Sequence, residues 1–300
     1  MPHDGGPDAY ALARGLVARS FTRASAGYDA AARLQGQVRE ELLSRLDGLA
    51  IEPRVVLDLG AGTGLGAARL KQRYRRAEVV AMDIAPGMLE QVRRHSRLWR
   101  PLRRVAADAL NLPLKSQSVD LIFSNLMFQW CDGPHLAFAE AQRVLRPGGL
   151  LLFSSFGPDT LRELRSAWAQ ADDAVHVNQF IDMHDLGSAL QRAGFAEPVL
   201  DVDRHVLRYP DARALMRELK AIGAHNVNAG RGRALTGRTR LWRMIDAYEA
   251  LRGPAGLPAT YEVVYAAAWG AGHAAERAFV APETALSLEA MTAALRRPRA

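Results

Sequence analysis

The chain has a single cysteine, Cys131, and three lysines among 39 basic residues. It has no apolar run near the ~20 residues of a membrane-crossing helix. One thiol excludes an intramolecular disulfide and fits a reducing compartment. Met1 to Asp8 carries no basic segment, and Arg14 and Arg19 interrupt Ala9 to Ser20. No export signal is therefore expected, and the cytoplasm is the expected location, with no membrane partner. No Cys/His cluster has metal-ligand spacing, so no metal is expected. Low-complexity segments and internal repeats are also missing.

What is present is 300 residues, 49% apolar and 24% charged. That composition excludes a disordered chain, a collagen-like fibre and a simple coiled coil, and permits a sizeable core. The net charge is +7. Arginine's dominance over lysine is explained by GC-rich codon usage; the positive excess is not. It points to an anionic partner: nucleic acid, acidic protein, membrane surface or acidic small molecule.

Residues 9–50 read as helical. Tyr10 to Phe21 and Leu34 to Leu46 space apolar residues by three and four, with Gly27 between them. From Arg54 short apolar runs appear: Val55–Leu59, Glu78–Met82, Arg103–Ala107, Val119–Ser124 and Leu150–Ser155. These read as buried strands, with helices expected over Ala67–Tyr74, Pro86–Leu98 and Leu136–Leu145. Such alternation predicts an α/β fold, a doubly wound Rossmann-like sheet. Further on, helices are expected over Asp159–Asp172 (capped by Asp159 or Thr160), Asp182–Ala193, Ala212–Ala224 and Thr239–Leu251. Strands are expected over Val199–Leu207 and Tyr261–Trp269. A Gly/Arg-rich loop occupies 230–237.

The strongest chemical signal is Asp58-Leu-Gly60-Ala61-Gly62-Thr-Gly64, directly after an apolar strand. Glycines there let the backbone approach a ligand and take angles that other residues avoid. Alone, a glycine triplet is also just a turn. The context adds Asp83 at the end of the second strand, where doubly wound folds place an acid on ribose hydroxyls. Asp108-Ala109 ends the third strand, with Leu110 and Ile84 able to flank a base, and Ser124-Asn125 ends the fourth. All lie at strand carboxyl ends, where open parallel sheets bind ligands.

This set, with the turn 145–149, resembles the class I S-adenosylmethionine-dependent methyltransferases over residues 50–156. The resemblance implies a seven-stranded sheet with an antiparallel last strand at Tyr261–Trp269. It also implies S-adenosyl-L-methionine as cofactor, with Asp83 on its ribose, Gly60–Gly64 near its methionine part and Met88 nearby. Further segments are similar to the malonyl-acyl-carrier-protein O-methyltransferases of biotin synthesis: Arg19 to Asp29, Ala32 to Gln35, Ser124 to Cys131, Phe156 to Leu164, Phe180 to Leu186 and Leu219 to Asn226. That resemblance implies one domain in four parts. They are an N-terminal helical lid (1–50), a cofactor-binding core (51–210), a helical insertion before the last strand (211–260), and the last strand with its tail (261–300). It implies a monomer acting on malonyl-acyl-carrier protein or malonyl-CoA.

A malonyl carboxylate is already ionised at neutral pH, since carboxyls titrate near ~4. Its methylation needs positioning and desolvation rather than a general base, and no base paired with an orienting acid stands out. Tyr28, Gln129 and Trp130 are the candidates to hold the carboxylate. Packing explains Tyr28 and Phe21 equally well. His184 and His225 read as structural. An acidic carrier protein would be steered by a basic face. Arg231, Arg233 and Arg238 in the insertion are the candidates; the Arg93–Arg104 stretch is expected on the far side from the cleft mouth. The rival readings are a small-molecule or quinone methyltransferase, which wants a base in the cleft, and a nucleic-acid methyltransferase. The second is disfavoured by Ser124-Asn-Leu-Met-Phe where an Asn/Asp-Pro-Pro-aromatic turn would stand. A non-catalytic cofactor-binding protein is the third, and the intact glycines and acids argue against it.

Overall fold

The computed structural model describes residues 13–97, 99–224 and 237–272. Seven strands form one sheet in the order β3-β2-β1-β4-β5-β7-β6. Strands β1 (Val55–Leu59), β2 (Glu78–Asp83), β3 (Arg103–Ala106), β4 (Val119–Asn125) and β5 (Leu145–Phe156) are parallel. Strand β7 (Leu257–Trp269) runs antiparallel between β5 and β6 (Ala196–Tyr209). The antiparallel last strand is as expected.

The apolar runs are continuous because both sheet faces are covered. Alternate residues divide between two cores. Val56, Val79, Ala81, Leu121 and Phe123 meet α3 (Arg33–Ser44) and α4 (Leu65–Arg73). The same face also carries α7 (Arg162–Ala169), α9 (Ala212–Ala221) and α10 (Arg238–Glu249). Leu57, Leu59, Val80, Met82 and Ile122 meet α6 (Pro134–Val144) and α8 (Met183–Arg192). No helix of the described residues is long and apolar enough to cross a membrane.

The N-terminal segment is three helices: α1 (Arg14–Ala24), α2 (Tyr28–Ala31) and α3. Helix α1 crosses the carboxyl ends of the strands. A side chain at Gly87, in α5 (Pro86–Gln91), would lie 2.8 Å from the Thr22 methyl and 2.9 Å from its carbonyl, so the two helices touch at backbone distance. Beyond α9, Ser20 Oγ donates to the Gly223 carbonyl at 2.8 Å.

Several boundaries differ from expectation. The helix from Pro86 stops at Gln91, tightens to a 3₁₀ turn over Val92–His95, and the chain then folds back. Ser96 Oγ accepts the Leu102 N–H at 3.1 Å and holds that return. Neither Asp159 nor Thr160 caps α7. Their side-chain oxygens are committed elsewhere: Asp159 Oδ2 accepts Arg204 Nη2 of β6 at 2.9 Å, and Thr160 Oγ1 donates to the Glu262 carbonyl of β7. The cap falls to Leu161 at φ +55. Helix α6 starts two residues early because Gly133, at φ +78, hands the chain to Pro134 at the first helical position. Tyr10 to Leu12, most of the Gly/Arg loop and residues 273–300 lie outside the described residues.

Asp58 is the unusual core residue. It is 2% exposed at the end of β1, beneath the start of α4. Its Oδ2 has no hydrogen-bond partner, and a side chain at Gly66 would lie 2.8 Å from it. Burial pushes its carboxyl up to about 7, and the nearby Asp83 charge acts in the same direction. An unfolded Asp titrates near ~4. The raised folded value makes the protonated acid the stabilising form, fully so below ~4 and lost as pH rises through ~7. Asp58→Asn removes the titration. In ligand-free protein, its stability relative to wild type should therefore rise between pH 4 and pH 7, by up to about 4 kcal/mol. Urea unfolding at the two pH values checks this; a pH-independent difference would contradict it.

Candidate active site

The chain leaves β1 towards β2 on one side and returns to β4 on the other. That divergence opens a crevice at the strand carboxyl ends, the place where open α/β sheets bind ligands. The crevice encloses about 1450 Å³, its open mouth included.

One end is polar. The Gly60 and Ala61 N–H groups donate to the Met82 carbonyl at 2.8 and 2.9 Å. Gly62 N–H donates to Asp83 Oδ2 at 2.9 Å, and Ala85 N–H to Asp83 Oδ1 at 2.8 Å. The loop and the acid thus fix each other. Burial raises the Asp83 carboxyl above its ordinary range. Gly60 and Gly62 take φ +76 and +55. At Gly60 a side chain would collide with Met127; at Gly62 it would meet open space, a vacant cradle beside the acid. Ile84, Met88, Asp108, Ala109, Leu110 and Asn125 line the same cleft. Asp108 Oδ1 accepts the Leu110 N–H at 3.0 Å, and Asp108 Oδ2 pairs with Arg14 Nη1 at 2.9 Å. Asp58 and Ala61 line an adjoining recess on the other side of the loop.

Four of the expected cofactor residues do not line the cleft: Asp58 and Ala61, which line the adjoining recess, and Ser124 and Gly64. Ser124 is fully buried and donates to the Leu59 carbonyl at 2.8 Å, tying β4 to β1. Gly64, at φ +90, starts α4 and stands where a side chain would strike Val92 at 2.8 Å. Its role is the turn.

The three carboxylate candidates do come together on the cleft wall. Phe21 meets Trp130 edge-on at 5.2 Å and Tyr28 at 6.5 Å. Burial, with Asp83 and Asp29 nearby, raises the Tyr28 phenol, so it stays an O–H donor at neutral pH. Gln129 is partly spent: its Nε2 donates to the Leu126 carbonyl at 2.7 Å. Cys131 also lines the cleft, its thiol pushed up to about 12 by burial, so it stays protonated. Of the basic candidates, Arg238 is exposed at the start of α10; Arg231 and Arg233 lie outside the described residues, as does His225. The Arg93–Arg104 stretch runs into the amino end of β3, away from the cleft, as expected.

The other end of the cleft is apolar, walled by Phe156, Leu161, Leu164, Phe180 and Tyr261. Here the structure corrects the sequence reading. His176 lines the cleft with its Nε2 2.6 Å from Asp172 Oδ1, and its ring stacks on Trp168 at 3.7 Å and 10°. A base held by an acid is therefore present. The four-residue Asp–His spacing was its only sequence signal. Arg14, on α1, was also missed; its partner lies 94 residues away.

The match to known proteins agrees with this geometry. A family model described as a methyltransferase domain matches residues 57–153. The malonyl-acyl-carrier-protein O-methyltransferase of Methylovorus sp. (strain MP688) is 51% identical over 268 residues, covering 87% of this chain and 90% of that one. The biotin biosynthesis bifunctional protein BioHC of Cellvibrio japonicus is 45% identical over 260 residues, 86% of this chain and 50% of that one. Among solved structures, the YcgJ protein of Bacillus subtilis superposes with TM-score 0.56 at 15% identity, over 77% of this chain and 98% of that one, a likeness of fold alone. Identity of one residue in two, sustained over nearly the whole length of both chains, places this chain in the malonyl-acyl-carrier-protein O-methyltransferase family.

Proposed function

We propose that the chain transfers a methyl group from S-adenosyl-L-methionine to the free carboxylate of a malonyl thioester. The thioester is carried on acyl-carrier protein or coenzyme A, and the reaction is an early step of biotin synthesis. The enzyme acts as a cytoplasmic monomer without nucleic acid or membrane. The observation that carries the reading is the half-identical relative, matched over 87% of this chain and 90% of its own, whose name states O-methylation of malonyl-acyl-carrier protein.

The residues present suit the cofactor. Each Asp83 oxygen holds one backbone N–H and keeps a lone pair for a ribose hydroxyl. Asp108, Ala109, Leu110 and Ile84 suit the base. The vacant cradle at Gly62 and the unpartnered Asp58 oxygen suit a cationic amino-acid end. Bound there, the cofactor supplies an electrophilic methyl group on a sulfonium.

The protein's part is to place an ionised carboxylate in line with that methyl and to exclude water. Phe21, Tyr28 and Trp130 form an aromatic wall for the exclusion. The Tyr28 O–H, the Trp130 indole N–H and the remaining Gln129 N–H are neutral donors. They hold a carboxylate without quenching its nucleophilicity as a bidentate arginine would. Helices α1 and α2 serve as a lid over both ligands, and the 211–260 segment serves as the carrier's side of the site, with Arg231, Arg233 and Arg238 as the candidate residues for the acidic carrier.

The His176–Asp172 pair favours a second reading, transfer to a phenol or carbon nucleophile that needs a base. His176→Asn separates the two. Carboxylate methylation keeps kcat within about fivefold at saturating substrate; loss of a general base costs on the order of 10²-fold or more. Labelled S-adenosyl-L-methionine offered with malonyl-, acetyl- and succinyl-carrier protein should label the malonyl form preferentially. Labelling of RNA instead, or of no malonyl substrate, overturns the reading. Asp83→Ala should raise the cofactor Kd at least tenfold by calorimetry; an unchanged Kd removes Asp83 from the ribose.

A further inference from the structure

A second cavity adjoins the apolar end of the cleft. It runs between α7 and the irregular segment 172–180, and it shares His176, Val177 and Phe180 with the cleft wall. We propose that this cavity is the passage through which the pantetheine arm of the acyl carrier delivers the malonyl group. The inference rests on the methyl-transfer reading and adds a direction of entry to it.

Three observations converge. The polar end of the cleft, with Asp83 and Asp108, suits the cofactor and is roofed by α1, which pairs with Asp108 through Arg14. The second cavity meets the cleft at the opposite, apolar end, where His176, Val177 and Phe180 line both. The passage wall mixes apolar and hydrogen-bonding side chains: Trp168, Val177 and Phe180 beside His176 and Gln179. A pantetheine arm alternates methylenes with amides and matches such a wall.

The mouth is the third observation. Helix α7 packs along α10. Arg240, in the first turn of α10, reaches to 3.7 Å from Asp172 Oδ2 on the passage wall. Arg238 and Arg243 on α10 are exposed beside it. The passage thus opens under a basic edge, where an acidic carrier protein would dock while its arm reached inward. Asp172 holds His176 in place, so the Asp172–His176 pair acts as a positioning device at the junction of passage and cleft.

Narrowing the passage tests this. Ala169 and Ala174 both line it and are exposed, so tryptophan at either position is compatible with the fold. Ala169→Trp and Ala174→Trp should each raise KM for malonyl-carrier protein and malonyl-CoA at least tenfold. The cofactor Kd, the Tm and kcat/KM for the short malonyl thioester of N-acetylcysteamine should stay within twofold of wild type. Unchanged KM for the long-armed substrates overturns the passage, as does an equal loss on long and short substrates. Wild-type protein that binds cofactor yet methylates none of the three thioesters refutes the methyl-transfer reading itself. The two failures are therefore distinguishable.

Discussion

The hydrogen bond from Gly62 N–H to Asp83 organises the molecule. It joins the loop after β1 to the end of β2, and it can form only because Gly60 and Gly62 accept positive φ. With the loop held against β2, the neighbouring edge towards β4 stays open. Everything else in the cleft is placed relative to that opening. Met127 fills the space a side chain at Gly60 would need, which positions the Phe128–Trp130 turn and brings Trp130 to the wall. Asp29 accepts Thr63 Oγ1 at 2.6 Å, which ties α2 and Tyr28 to the same loop.

Much of this was legible in the sequence because its determinants are local. The strand runs, the glycine loop and the acids at strand ends sit within a few residues of what they control. Asp83 and Asp108 line the cleft for that reason. The misreadings have the opposite cause. Ser124 follows the strand pattern perfectly, yet its hydroxyl turns inward because β1 offers it a carbonyl. Thr160 looks like a helix cap, but β7, a hundred residues on, claims its hydroxyl first. His176 lies in a segment without periodicity, so only folding α7 beneath it shows that Trp168 and Asp172 hold the ring.

Charge is distributed in the same spirit. The cofactor end is acidic and its acids are held by backbone amides, so their geometry does not depend on mobile side chains. The wall proposed for the carboxylate carries neutral donors. The basic residues of α7 and α10 stand outside the cleft, at its apolar end. Among the described residues Arg14 is the one arginine lining the cleft, and it is held by Asp108.

The two fastenings of α1 differ in kind. Its carboxyl-terminal half rests on the buried Gly87 at backbone distance. Its amino-terminal end is held by Arg14 on Asp108, a pair open to water and weakened by dissolved ions. One end of the roof is therefore a fixed pivot and the other a clasp whose grip the surrounding solution sets. Raising the ionic strength therefore weakens the second fastening while leaving the first as it is.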